Sequence, residues 1–404
     1  MDLVLWQWVD FMVRWTHVIA GIAWIGSSFY FVHLDSSLKA RQGLPEGAGG
    51  EAWQVHGGGF YHMVKYLVAP KAMPDELTWF KWEAYATWLS GFGLLIIVYY
   101  FGAELYMIDP AVLPLPVWGA VVISLVGLAL GWVVYNALCR SPLGNNDTTL
   151  ALVGLVFLVV LAYAFTWIFS GRGAYMQMGA LIGTMMVANV AMVIIPNQRK
   201  VVADLIAGRT PDPKYGAEAK QRSMHNNYLT LPVLFIMISN HYPLAFASRF
   251  NWLILAIVLV VGAVIRHFYN TRHKGLPSPW WTWGVAVAGM LLVVWLSSIR
   301  PADVEAAALP AEPVTYAQVE EIVLGRCSMC HAAEPVWEGV PFPPKGVMLD
   351  TPELIRLHAE QIYVQAARSH AMPPANVTEI SPEERKILAA WVEAGATAEQ
   401  ARRR

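Results

Sequence analysis

The chain has 404 residues, 56% of them hydrophobic and only 14% charged, with a formal net charge of −1 at neutral pH. Soluble domains carry about 25% charged residues, so most of this chain is not built for water. The near-neutral charge argues against nucleic acid as a partner, and three cysteines (Cys139, Cys327 and Cys330) are too few for a disulfide framework.

The N-terminus, MDLVLWQWVDFMVRW, lacks a basic n-region and a small-residue cleavage site, so it reads as the start of a retained first span. A helix crosses a hydrocarbon core of roughly 30 Å in about 20 apolar residues. Eight segments meet or approach that requirement: 5–33, 82–104, 115–138, 148–169, 175–196, 226–243, 251–270 and 279–299. The sixth opens with His225, Asn226 and Asn227 and contains Pro232, so it is expected inside the bundle, where protein surrounds the interruption.

Basic residues divide unevenly between the two sets of loops. Lys39, Arg41, Lys65, Lys71, Arg140, Arg199, Lys200, Arg209, Lys214, Lys220, Arg222, Arg272 and Lys274 fall in one set, and only Arg172 and Arg249 in the other. The first set is expected to be cytoplasmic, and an even span count then places both termini on the opposite side. The connection from 34 to 79 is long enough to have structure of its own. Its residues 60–68 mix aromatic, aliphatic and basic side chains, as an interfacial helix would. Asp10 and Arg14 are spaced to pair on one helix face.

After residue 300 the composition becomes that of a soluble domain. Residues 301–314, rich in Pro, Ala and Glu, read as a spacer. Cys327-Ser-Met-Cys330-His331 is then a C-x-x-C-H haem attachment sequence. Two thiols on one turn reach two vinyl groups of one porphyrin, and the adjacent imidazole meets the iron. Met372, in Ala371-Met-Pro-Pro374, is the expected sixth ligand, with Met348 as its rival. A helix is expected over 316–326, and Ser381-Pro-Glu-Glu384 is a capping box opening another that Gly395 ends. The final ninety or so residues resemble cytochrome c domains. The expected fold class is therefore all-α: a polytopic membrane helix bundle over 1–300, the spacer, and a small class I cytochrome c domain over 315–404 with one covalent haem c.

Ionisable residues inside a bilayer are costly and usually functional. His17 and His33 are sixteen residues apart, as are His225 and His241, which is a rise of about 24 Å on a helix. On antiparallel spans His17 could face His241 and His33 could face His225, as ligands of one or two haem b. Sixteen positions also leave the two imidazoles of one ideal helix about 160° apart, so this arrangement requires bending. His17, the deepest, is the first candidate.

Two segments carry a wider resemblance. Arg14-Trp-Thr-His17-Val-Ile-Ala-Gly-Ile-Ala-Trp24-Ile-Gly26 and His225-Asn-Asn-Tyr-Leu-Thr-Leu-Pro232-Val, with the fused haem motif, resemble the bacterial membrane-bound urate hydroxylases from end to end. The first-span pattern also resembles membrane protoporphyrinogen oxidases, in which the corresponding histidine is implicated in binding haem b. The resemblance implies oxidation of urate to 5-hydroxyisourate with oxygen taken from water. Electrons would pass to the cytochrome domain and on to a terminal oxidase or soluble cytochrome. It implies a bacterial inner membrane, with membrane lipid around the bundle and the cytochrome domain periplasmic. A planar anion rich in donors and acceptors needs a cation and amide-like groups, and His225, Asn226, Asn227, Arg266 and His267 are the candidate substrate residues. Two alternatives stand beside this: a membrane cytochrome that passes electrons from quinol or a partner enzyme to a terminal oxidase, and a porphyrin-oxidising enzyme.

Overall fold

The structure, a computed structural model, describes residues 3–70, 73–309, 313–338 and 340–396. Lys71 of the basic loop set, spacer residues 310–312 and domain residues 397–404 therefore lie outside the described residues.

The chain is mostly helical. The first helix, α1 (Leu3–Ser37), is followed after the hairpin by α2 (Trp82–Leu94), α3 (Val117–Arg140), α4 (Asp147–Thr166) and α5 (Gly171–Ala188). Then come α6 (Ile195–Ile206), α7 (Pro213–Ser239), α8 (Asn251–His273) and α9 (Trp281–Ser298). Among the described residues six are long and apolar enough to cross a membrane: α1, α3, α4, the continuous α5–α6 rod, α8 and α9. On α4, Leu152, Val156 and Val160 face outward with about 60% of their surface exposed. Such a broad apolar exterior suits lipid rather than water.

The segments expected at 82–104 and 226–243 are helical but fall short of that standard. In the first, α2 widens into a π turn at Leu95–Tyr100. In the second, α7 starts thirteen residues early, because Asp212 caps its end by accepting from the Lys214 N–H and Pro213 opens it. Its first half is polar, which dilutes the apolar signal. The expectation that this helix runs inside the bundle holds, since Asn226, Asn227, Thr230, Pro232 and Ile236 are all buried. Arg222, counted above as a loop cation, is 3% exposed within this helix. At the centre α5 packs against α2, α3, α4 and α7.

The interfacial helix expected at 60–68 is not there. Strands β1 (Ala48–His56) and β2 (Gly59–Tyr66) form an antiparallel hairpin instead. The turn residues Gly57 and Gly58 have φ of +61° and +79°, the left-handed pair that matches the twist of two hairpin strands. The run of glycines from 57 to 59 was the signal, and it outweighs the mixed side chains that follow. Across the hairpin His62 meets Glu51 at 2.6 Å, which holds the Glu51 carboxyl below its usual range.

The C-terminal unit is built on α10 (Tyr316–Arg326), α11 (Pro352–Leu357) and α12 (Pro382–Glu393). Both expected helices appear, and both open with a capping box, Thr315 with Gln318 and Ser381 with Glu384. They bury Val319, Val323, Ile355 and Leu388 in one core. Ser381→Ala is expected to cost this unit about 1 kcal/mol, seen as a lower unfolding midpoint with the bundle unaffected.

Residues 301–309 are not a free spacer. They form a short helix at Ala302–Ala306 that buries Val304, and Lys386 of α12 donates to the Glu305 and Ala307 carbonyls. The unit then docks on one end of the bundle. Arg368 donates to the Ser298 carbonyl at 2.7 Å, Arg300 pairs with Glu393, and Ala371 packs against the bundle core.

Candidate functional site

Two sites emerge, one in each part. In the C-terminal unit, α10 ends at Arg326 and the chain turns through Cys327 to His331, whose N–H donates to the Cys327 carbonyl at 2.9 Å. Both thiols are free, and burial raises them, Cys327 to about 12. Burial likewise holds the His331 imidazole below its usual range. Its Nδ1 lies 2.9 Å from the Val347 carbonyl, an acceptor only, so Nδ1 carries the proton and Nε2 keeps a free lone pair. A metal-binding histidine adopts this posture. Met372 packs on the same core as Cys327. Its backbone is pinned by buried Arg385, whose Nη1 donates to the Met372 carbonyl at 2.8 Å and to the Ala366 carbonyl at 2.6 Å. Burial pulls the Arg385 guanidinium down to about 10. These residues fit a covalently held haem: two free thiols on one turn, an imidazole with Nε2 free and a fixed thioether loop.

The second site is a buried polar cluster in the bundle. Arg222 donates through Nη2 to Asn136 Oδ1 at 2.8 Å and through Nη1 to Asn189 Oδ1 at 3.1 Å. Its guanidinium lies 5.0 Å from the ring centre of Tyr135 and 5.9 Å from that of Trp132. Asn189 donates to the Tyr135 hydroxyl at 3.0 Å and to Asn226 Oδ1 at 2.9 Å. The Tyr135 hydroxyl shares a hydrogen bond with His225 Nδ1 at 2.8 Å. Among the described residues no carboxylate pairs with Arg222. An arginine keeps its charge at neutral pH, so the cluster is a cation held out of water by amides and aromatic faces. It can bind a planar anion, and Tyr135 and His225 can pass a proton between them.

A widened turn brings Asn189 here. Between α5 and α6 the π segment Asn189–Ile194 replaces ordinary helical bonds, with the Ile195 N–H reaching the Val190 carbonyl. The cause is Pro196, which has no N–H to give and whose ring would strike the carbonyl one turn back.

The five candidate substrate residues do not share one pocket. Neighbouring helical positions point about 100° apart, so His225 and Asn226 join the Arg222 cluster while Asn227 faces α8. There Arg266 donates to Asn227 Oδ1 and to Asn270 Oδ1, each at 3.1 Å, with its guanidinium 3.8 Å from the Phe29 ring centre. Asn227 Nδ2 is buried and has no hydrogen-bond partner among the described residues. His267 is exposed, 3.3 Å from the Tyr228 hydroxyl. Arg222, Asn270, Tyr135, Asn189 and Arg385 were not singled out in advance. The i,i+4 spacings of Arg222 with Asn226 and of Arg266 with Asn270 were the available signal.

The histidine pairing expected across the bundle gives way to other neighbours. His33 packs edge-on against His273 at 4.5 Å, His225 meets Tyr135, and His241 is exposed just past α7. His17 alone keeps a ligand posture. Its Nδ1 donates to the Thr87 carbonyl at 2.9 Å, and Nε2 is left free. The ring lies so close to α2 that a Cβ on Gly91 would sit 2.8 Å from His17 Cε1. Asp10 and Arg14 pair at 2.7 Å as expected, and Cys139 is a buried residue 3.9 Å from His225 Nδ1.

The family model described as urate oxidase N-terminal matches residues 3–297, the whole helical bundle. No curated protein and no solved structure matches the chain.

Proposed function

The chain belongs to the urate oxidase N-terminal family, and from that premise we propose that it is a membrane-bound urate-oxidising enzyme with a fused class I cytochrome c. The bundle binds and oxidises urate, and the C-terminal unit carries the electrons away. Urate and one water give 5-hydroxyisourate, two protons and two electrons. The observation that carries this reading is the buried, carboxylate-free Arg222 inside the part of the chain that the family covers.

In this reading Arg222 holds the urate anion and the amides of Asn189 and Asn226 orient its ring, displacing part of their present network. His225 accepts a proton at Nδ1, relayed by the Tyr135 hydroxyl. Burial of the cluster excludes bulk water, which strengthens the Arg222 charge. At the other end, Cys327 and Cys330 would hold a haem c through their sulfurs, His331 and Met372 would bind its iron, and Arg385 fixes the Met372 loop. A haem c bound there supplies one-electron acceptance. Arg222 lies seventeen residues from the end of α7, about 25 Å along the helix, and the segment Pro243–Phe246 that follows meets the C-terminal unit. His17 is the residue we assign to a haem b within the bundle, where it would divide that distance. The cytochrome domain is read as periplasmic, on a bacterial inner membrane, with a terminal oxidase or soluble cytochrome as acceptor.

The test is anaerobic. Urate alone, added to purified protein, should reduce its haem absorbance and yield 5-hydroxyisourate without hydrogen peroxide. A haem band that stays oxidised until quinol is added would instead make this chain an electron-transfer subunit.

A further inference from the structure

At the junction of bundle and C-terminal unit, an open cleft of about 520 Å³ is lined by Arg249, Arg300, Arg368 and Glu305, with Ser298 on its wall. The three arginines come from three places: the α7–α8 connection, the end of α9 and the C-terminal unit. Arg300 pairs with Glu393. The Arg368 side chain donates to the Ser298 carbonyl and lies 5.9 Å from the Tyr363 ring centre, and among the described residues no carboxylate pairs with it. Arg249 lies over the Phe250 ring at 4.7 Å, and among the described residues no carboxylate pairs with it. Three guanidinium groups and one carboxylate, that of Glu305, line the cleft, and Glu393 pairs with Arg300 from outside the lining, which leaves one positive charge over.

The helix that ends at this cleft has a second feature. On α9, Val287, Leu291 and Trp295 are exposed by 59%, 65% and 61%. Spaced by four, they form one apolar stripe leading up to Ser298. A cationic cleft with one positive charge in excess therefore caps an outward-facing apolar stripe. We propose that the cleft holds the phosphodiester headgroup of an anionic phospholipid whose acyl chains lie along this stripe. Guanidinium groups suit phosphate oxygens through paired hydrogen bonds, and the headgroup contributes the missing negative charge. Because it touches all three segments, the lipid fastens the C-terminal unit to the bundle. This assignment does not depend on the reaction proposed above.

Full-length protein in detergent, with phosphatidylglycerol, phosphatidylcholine or inorganic phosphate added, provides the test by native mass spectrometry. Phosphatidylglycerol should be retained and phosphatidylcholine should not. Arg249→Gln should lower phosphatidylglycerol retention about tenfold, the loss of one charge-assisted contact. Arg249→Lys should restore most of it, and Trp295→Ala should weaken it with the cleft intact. Equal retention by wild type and Arg249→Gln at an unchanged unfolding midpoint overturns the proposal. So does displacement by inorganic phosphate with no effect of Trp295→Ala, because the cleft would then take a free anion.

Discussion

A Cys327→Ala/Cys330→Ala double variant is expected to lose the haem-dependent peroxidase stain on a denaturing gel and all urate-dependent electron output. Both sulfurs sit on the single turn that follows α10, and the same turn delivers His331. Without the thioether bonds only the two axial ligands would hold the haem, and denaturation would strip it away. The C-terminal unit should keep its fold, since its core of Val319, Val323, Ile355 and Leu388 is formed by other side chains. Arg385→Gln separates attachment from tuning. It should leave the haem covalently bound but free the Met372 loop, because the carbonyls of Ala366 and Met372 lose their common donor. The expected readout is a weakened thioether-to-iron absorption band with the gel stain unchanged. A stain that survives the double cysteine change would remove the cytochrome from this protein.

Arg222→Gln is expected to lower urate turnover by about 10²- to 10³-fold, as removal of a preorganised donor at a reacting centre does. Its effect on stability should be small, for two opposed reasons. A charge buried without a carboxylate costs several kcal/mol to desolvate, so discharging it helps the fold. Against that, Asn136 and Asn189 each lose a donor, at about 1–3 kcal/mol for an unpaired buried group. Glutamine can serve only one of them. A protein with a nearly unchanged unfolding midpoint and a large loss in kcat/KM is therefore the expected result. Arg222→Lys should recover part of the urate affinity, since its charge remains while the fork that spans two asparagines is lost. Unfolding of Arg222→Gln at ordinary temperature, or normal turnover, would assign the cluster to architecture alone.

The mostly helical character of the chain and the two capped helices of the C-terminal unit were legible because each rests on short-range rules, although six rather than eight helices are long and apolar enough to cross a membrane among the described residues. Apolar runs marked the helices, and Ser381 with Glu384 marked the start of α12. The hairpin was misread because side-chain mixture was weighed above backbone chemistry at Gly57 and Gly58. The substrate residues were only half legible. His225 and Asn226 were visible as polar groups in an apolar span, but their partners Tyr135 and Asn189 come from α3 and the α5–α6 rod, brought together by packing alone. Arg222 was read as a surface cation because it lies only three residues before His225, at the edge of the apolar run. The helix that buries it begins at Pro213, set by a cap rather than by hydrophobicity.

The widened turn at Asn189–Ile194 has a consequence for the rod that contains it. One residue more than an α turn requires is held there, so everything beyond Ile195 is rotated by about 100° from the phase that α5 would have imposed. Upstream, the rod is indexed to place Asn189 beside Arg222. Downstream, it is indexed to place Asn197 2.9 Å from Glu218 of α7. A single-residue deletion within the turn would merge the two indices, so that either contact could form but never both.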